Sequence, residues 1–300
     1  MTRINLRFQY LIVGFKMVKK VFFILVFGGL INWSWIGYDI FQAQEGKEQD
    51  KRKIENAIEW HWENRFTREE VTKVKSWLTQ VYVHSQNTLG IYSFKIHFYI
   101  HRSKSGNEPV PWANTTRGET QGVHFHVNMS FDKQDFLDDW TAPHEISHLS
   151  IPFVGKTNMW FSEGYATYMQ VQILQSQKVY SKLEANEKYH SQFLNCKADF
   201  QSNSPLTELV QELKAEWNYP AIYWGGASFF WKLNRELFTK KGISLLEVVK
   251  KYEQCCRVDE STQQEICEQF DEISHSSIAT DLLLEYQTQP AKLVFEEFRD

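Results

Sequence analysis

Two stretches of the chain alternate apolar and polar residues with a period of two, the mark of strands that bury one face. In residues 93–100, Phe94, Ile96, Phe98 and Ile100 alternate with their neighbours. In residues 122–130, Val123, Phe125, Val127 and Met129 do the same. Residues 101–121, between them, read as loop. Upstream, Thr67-Arg68-Glu69-Glu70 is a capping box ahead of a helical period and predicts a helix to about His84. From about residue 135 the pattern is helical, with breaks expected near Gly155, Pro205, Pro220 and Gly242. Strands first and helices afterwards predict an α+β domain, a small β-sheet followed by a mostly helical half.

The N-terminus follows another pattern. Residues 21–38 (VFFILVFGGLINWSWIGY) carry no charge, and Lys19 and Lys20 stand just before them. Their apolar heart, Val21 to Ile31, suits a secretory h-region better than a full membrane span. Met17 is an alternative start, since MVKK makes a conventional n-region. No good small-x-small cleavage site follows, because Ala43 has Phe41 two residues before it. Trp33, Trp35 and Tyr38 would suit a membrane interface. Residues 1–44 are therefore expected to be a signal peptide or a membrane anchor, with membrane association through this segment in the second case. Either way residues 45–300 lie outside the cytoplasm: periplasmic, secreted, or anchored on the outer side of the cytoplasmic membrane. Residues 45–53 (EGKEQDKRK) read as a charged linker, and no composition shift divides the chain beyond residue 54.

Composition adds limits. Of 300 residues, 42% are hydrophobic, 15% aromatic and 23% charged, enough apolar material for a packed core and unlike a disordered chain. The net charge of −4 includes five basic residues in the leader, so the exported body is more acidic still, which argues against a nucleic-acid partner. The four cysteines, Cys196, Cys255, Cys256 and Cys267, all fall in the exported part. An even number there suggests two disulfides. Adjacent Cys255 and Cys256 are not expected to pair with each other, which leaves one for Cys267 and the other for Cys196. Four thiols packed as small apolar groups are the alternative.

Residues 144–148 read His-Glu-Ile-Ser-His. On a helix, residues four apart share a face, so both imidazoles can reach one zinc ion. Glu145 is offset from that pair and can take a proton from a water. Residues 160–170 read WFSEGYATYMQ, with 14 residues between His148 and Glu163, room for a turn and the start of an antiparallel helix. Glu163 would be a third protein ligand and leave a fourth position open, as in a catalytic zinc site. Gly164 and Ala166 are small and would let the two helices approach closely.

HEISH followed by WFSEGYATYM resembles the gluzincin metallopeptidases, which include thermolysin, aminopeptidase N and the glycyl aminopeptidases. The aminopeptidase-like branch is the closest match. The resemblance implies a thermolysin-like zincin catalytic domain over residues 45–300 and one Zn2+ per chain. His144, His148 and Glu163 would be its ligands, Glu145 the general base, and a peptide or protein the substrate. Residues 222–227 (IYWGGA) resemble the Tyr-x-x-Gly-Ala segment of that branch, which implies an oxyanion-stabilising role for Tyr223. Two departures stand out: the His-to-Glu spacing is shorter than the usual 18 residues, and the Gly-x-Met-Glu-Asn strand that grips a free amino group is missing. The nearest stretch to it is 118–128. The large N-terminal β-domain of aminopeptidase N is also absent, so a stand-alone catalytic domain is expected, and exopeptidase specificity does not carry over.

His124 and His126 fall two apart on a predicted strand, where both face one way. They could line the substrate cleft, help bind the oxyanion, or be solvated strand histidines. A zinc hydrolase of non-peptide amides or esters, and a catalytically silent gluzincin-fold binding protein, are the competing readings. An intact Glu145 speaks against the silent one, since a purely structural zinc needs no general base.

Overall fold

A computed structural model describes residues 52–104 and 106–298, and the described residues from Ile54 onward form one compact unit. The expected signal or anchor at 1–44 lies outside the described residues. Among those described, no helix is long and apolar enough to cross a membrane.

Four strands make one sheet: β1 (Ile58–Trp62), β2 (Ile96–Arg102), β3 (Trp112–Thr116) and β4 (Gln121–Val127). Their spatial order is β1-β2-β4-β3. The first three neighbours run parallel, and β3 pairs antiparallel with β4. Parallel pairing needs a crossover, and α1 (Arg68–Leu89) supplies it between β1 and β2. Thr67 and Glu70 form the expected capping box at its start. Val74, Trp77, Leu78, Val81, Tyr82 and Ser85 recur at helical spacing and are all buried.

The alternation in β2 and β4 works as a pattern with one buried face. Ile96, Phe98, Ile100, Val123, Phe125 and Val127 point to the core, where Trp77 of α1 meets Phe125 edge-on. Each such large side chain contributes roughly 1.5–3 kcal/mol by leaving water. The helical half follows: α2 (Lys133–Asp138), α3 (Thr141–His148), α4 (Met159–Ser176), α5 (Lys182–Asn195), α6 (Leu206–Ala215), α7 (Tyr219–Lys241), α8 (Leu245–Cys255), α9 (Gln263–Ser274), α10 (Ile278–Thr288) and α11 (Ala291–Val294). These give a second apolar core, centred on α4 and α7.

The mixed α+β architecture with a small sheet and a large helical half is as expected, but several details differ. The order is not strands then helices, because α1 lies between β1 and β2. It also runs to Leu89, past His84. The 101–121 stretch is not all loop, since β3 lies within it; its sequence WANTT is short and lacks a clear period. The break expected near Pro220 is present: α6 ends at Ala215, and Pro220 opens α7, where its missing N–H costs nothing. Gly155, Pro205 and Gly242 do stand at helix boundaries.

The disulfide expectation is overturned. Cys255 is bonded to Cys256, where the chain leaves α8, and Cys196 and Cys267 are free and buried. The latter two sit in the helical core as small apolar groups, and burial pushes the Cys196 thiol up to about 11.

Candidate metal centre

Helix α3 is only eight residues long, and every side chain in it except Glu145 is buried. Its N-terminus lacks a side-chain cap at Trp140, but the Asp139 carboxylate accepts from the Thr141 N–H at 2.8 Å. Ala142, Ile146 and Leu149 join the sheet core. That seats the helix and turns His144 and His148, one turn apart, toward α4. Three side chains from outside the helix donate to carbonyls at its C-terminal end. The Tyr92 hydroxyl donates to Ile146 O at 3.0 Å, Arg117 to His148 O, and Arg257 Nε to Leu149 O at 2.8 Å.

Glu163 reaches the same point from the second turn of α4. Its Oε2 is 3.1 Å from His144 Nε2 and 3.5 Å from His148 Nε2. Donors held at about 2.0–2.1 Å from a tetrahedral zinc ion stand about 3.3 Å apart, so these separations fit one ion. Among the described residues, this is the one group of three or more metal-ligating side chains whose donor atoms lie within 4.8 Å of one another. Charge agrees with geometry. Burial opposes ionisation of Glu163, yet His148 and His144 outweigh it and hold its carboxyl well below the usual range. Burial likewise opposes a charged His144, while Glu163 raises its pKa. The centre is thus poised to hold positive charge, which a metal ion supplies without the protons.

Gln170, two turns beyond Glu163 on α4, was not singled out from the sequence. Its Oε1 lies 2.9 Å from His144 Nδ1 and is placed to accept that N–H, which leaves Nε2, aimed at Glu163, as the nitrogen facing a metal ion. The only sequence signal was its seven-residue spacing from Glu163, which repeats a helical face.

Glu145 is half-buried beside the two histidines. The Thr115 hydroxyl, on the inner face of β3, donates to its Oε2 at 2.8 Å and lies 3.1 Å from its backbone carbonyl oxygen. So the strand missing from the sequence reading aims the carboxylate. Tyr223, in the first turns of α7, lays its ring against His144 with centroids 5.7 Å apart and planes 24° from parallel. Burial, then the Glu163 and Glu145 charges, raise its phenol well above the ordinary value, so it stays a proton donor.

Tyr223 is brought there by a close helix crossing. A Cβ on Gly164 would fall 2.2 Å from the Gly226 carbonyl carbon, and one on Gly226 would fall 1.9 Å from Trp160 O. Gly164 therefore brings α4 against α7, not against α3 as its position beside Glu163 suggested. His124 and His126 do share a face, but it is the outer face of β4. Their neighbours Val123 and Phe125 point inward, with Thr115 and Ala113 opposite them, so neither histidine enters the cleft around Glu145. A cavity of about 330 Å³ opens beside the centre, walled by Trp140, Gln170, Tyr180, Tyr219, Tyr223 and Trp224.

No family model matches this sequence, and no curated protein does. Among solved structures, the chain is similar to an M1 zinc metallopeptidase from Deinococcus radiodurans bound to a Tyr-Ser-Ala substrate. That pair shares 11% identity and a TM-score of 0.48, over 76% of this chain and 46% of that one. A second structure of M1 zinc metallopeptidase from Deinococcus radiodurans gives 12% and 0.47, over 76% and 45%. A two-domain M1 zinc metallopeptidase bound to L-arginine gives 10% and 0.47, over 76% and 47%. The chain spans less than half the length of each of these.

Proposed function

We propose that this protein is a zinc-dependent metallopeptidase with a gluzincin-type catalytic domain. The observation that carries the reading is the convergence of His144, His148 and Glu163 on one point, with Glu145 beside them and not among them. A purely structural zinc site is usually closed by four protein ligands. Here three converge, and the group next to them is a carboxylate already oriented by Thr115.

Zinc, when bound by these three residues, supplies the Lewis acidity that makes a water a nucleophile at neutral pH. Glu145 accepts the proton of that water and can pass it on to the leaving amine. The Tyr223 phenol, protonated and half-buried, donates a hydrogen bond where negative charge develops on the scissile carbonyl oxygen. Gln170 keeps His144 in the ligating tautomer. The aromatic cavity fits a bulky side chain of a peptide or protein substrate. Export to the periplasm, to the medium, or to an anchored position outside the membrane belongs to this proposal and rests on the N-terminal sequence pattern.

The test is metal-dependent turnover. The purified protein, offered a mixture of unrelated peptides, should cut some of them, lose that activity to a chelator, and regain it with one equivalent of zinc. Zinc retention without cleavage of any peptide, ester or amide would leave a binding protein in its place.

A further inference from the structure

Five of the ten histidines lie on the outer face of the sheet, turned away from α1 and α3. His61 is on β1, His97 and His101 on β2, and His124 and His126 on β4. All five are half-buried, alternating with the core residues of the same strands. Their rings form a nearly continuous stack. His61 lies on Tyr99 with centroids 4.4 Å apart, Tyr99 on His124 at 4.3 Å, and His101 on His126 at 4.5 Å. Trp112 of β3, tilted, meets His126 at 4.8 Å.

Within this stack two pairs meet through nitrogen. His61 Nε2 is 2.9 Å from His97 Nδ1, and His101 Nε2 is 3.0 Å from His124 Nδ1. A hydrogen bond between two imidazoles needs at least one neutral partner with a bare nitrogen. Burial lowers the pKa of His97, His101, His124 and His126, so the ligating form prevails at neutral pH. Solvated strand histidines would diverge into water; these are paired and packed, and nothing in the metallopeptidase reading uses them.

We infer that this face is a second transition-metal site, taking a divalent ion such as Zn2+ between His101 and His124, with His126 as a third imidazole once its ring rotates. The pair is nearly at the spacing required, because two nitrogens on one tetrahedral zinc ion stand about 3.3 Å apart. His101 sits directly opposite His126 in the register and diagonal to His124, so three imidazoles border one spot above the β2–β4 seam. Imidazole is a ligand suited to zinc, copper and nickel. The Glu63 carboxylate acts on His101 and His124 from the end of β1 and favours a cation there. On binding, the proton held between the two nitrogens shifts through solvent to the far ring nitrogen of the donor, so both histidines ligate as neutral imidazoles and the ion ties β2 to β4.

The experiment titrates Zn2+ into the full-length protein by calorimetry, in the parent, in Glu163→Ala and in His101→Phe, which keeps an aromatic ring in the stack. The parent should take a second equivalent beyond that of the α3 centre. Glu163→Ala should keep this second event while weakening the first, so the two sites fail separately. His101→Phe should weaken the second event at least about 10-fold and leave peptide hydrolysis as in the parent. Electron paramagnetic resonance of Cu2+ added to the parent carrying a single equivalent of zinc should show coupling to two or three nitrogens, a readout that needs no variant. A single equivalent in the parent, a second event unchanged in His101→Phe, or copper without nitrogen coupling would each overturn the proposal.

Discussion

The two histidine groups lie on opposite sides of the sheet layer, and they are organised differently. His144 and His148 come from one rigid, buried helix whose spacing makes them converge, and Glu163 closes the triangle from a second helix. The outer five are spread over three strands, stack ring on ring, and meet only in pairs. The first group has a partner outside the triangle, Gln170, that holds a tautomer; the second holds its tautomers only by bonding histidine to histidine. Histidine number does not make a catalytic centre. On the proposed reading a carboxylate ligand, a fixed tautomer and an adjacent base do, and side chains placed for all three roles occur on the α3 side alone among the described residues.

That contrast can be broken most severely at Glu163. Glu163→Ala should strip zinc from the α3 centre and abolish hydrolysis, measured as metal content and turnover, with the outer face unaffected. Tyr223→Phe removes a donor and leaves the ligands, so it should lower kcat by about 10² or more with zinc retained, as loss of one oxyanion donor typically does. Unchanged kcat would make Tyr223 a packing residue against His144. Gln170→Leu removes only the tautomer lock, and should cost about 10–100-fold in zinc affinity or activity. An unaltered zinc affinity and rate would mean that the ring is held by packing alone.

The mildest change reaches the far end of α3. Burial pushes the Glu253 carboxyl up to about 8, with Arg257 pulling the other way, and neither of its oxygens has a hydrogen-bond partner. The folded chain therefore keeps a proton that the unfolded chain releases near 4.5. Stability from this group is complete below that pH and declines as pH rises to about 8. Glu253→Gln should flatten that decline, gaining on the order of a few kcal/mol at pH 8 relative to pH 5 in urea unfolding, with activity at pH 7 near that of the parent. Parallel pH profiles for the two proteins would show that Glu253 ionises freely.

How much of this was legible in the sequence depended on whether the signal was local. The ligand spacing in HEISH, the capping box at Thr67 and the alternation in β2 and β4 are local, and the structure follows them. Glu163 could be expected beside the two histidines, where the structure has it, because its segment carries its own pattern. Gln170 and Thr115 were missed because their roles depend on a helix face and a strand register, which no short motif records. The Gly164–Gly226 crossing was assigned to the wrong helix for the same reason: a small residue shows that something comes close, not what. The vicinal disulfide was missed because a rule about favoured geometry was applied without the α8 terminus that brings the two sulfurs together. The outer histidines were visible only as the His124–His126 pair, since the other three come from strands adjacent in space and not in sequence.

The central claim is that Glu145 serves as the base and does not hold the metal. The direct measurement pairs zinc content with peptide hydrolysis in Glu145→Gln, whose amide is nearly isosteric but cannot accept a proton. The account predicts a folded protein with about one zinc at the α3 centre and hydrolysis reduced by 10²- to 10⁴-fold or more. Hydrolysis near the parent rate in that zinc-loaded variant would contradict it.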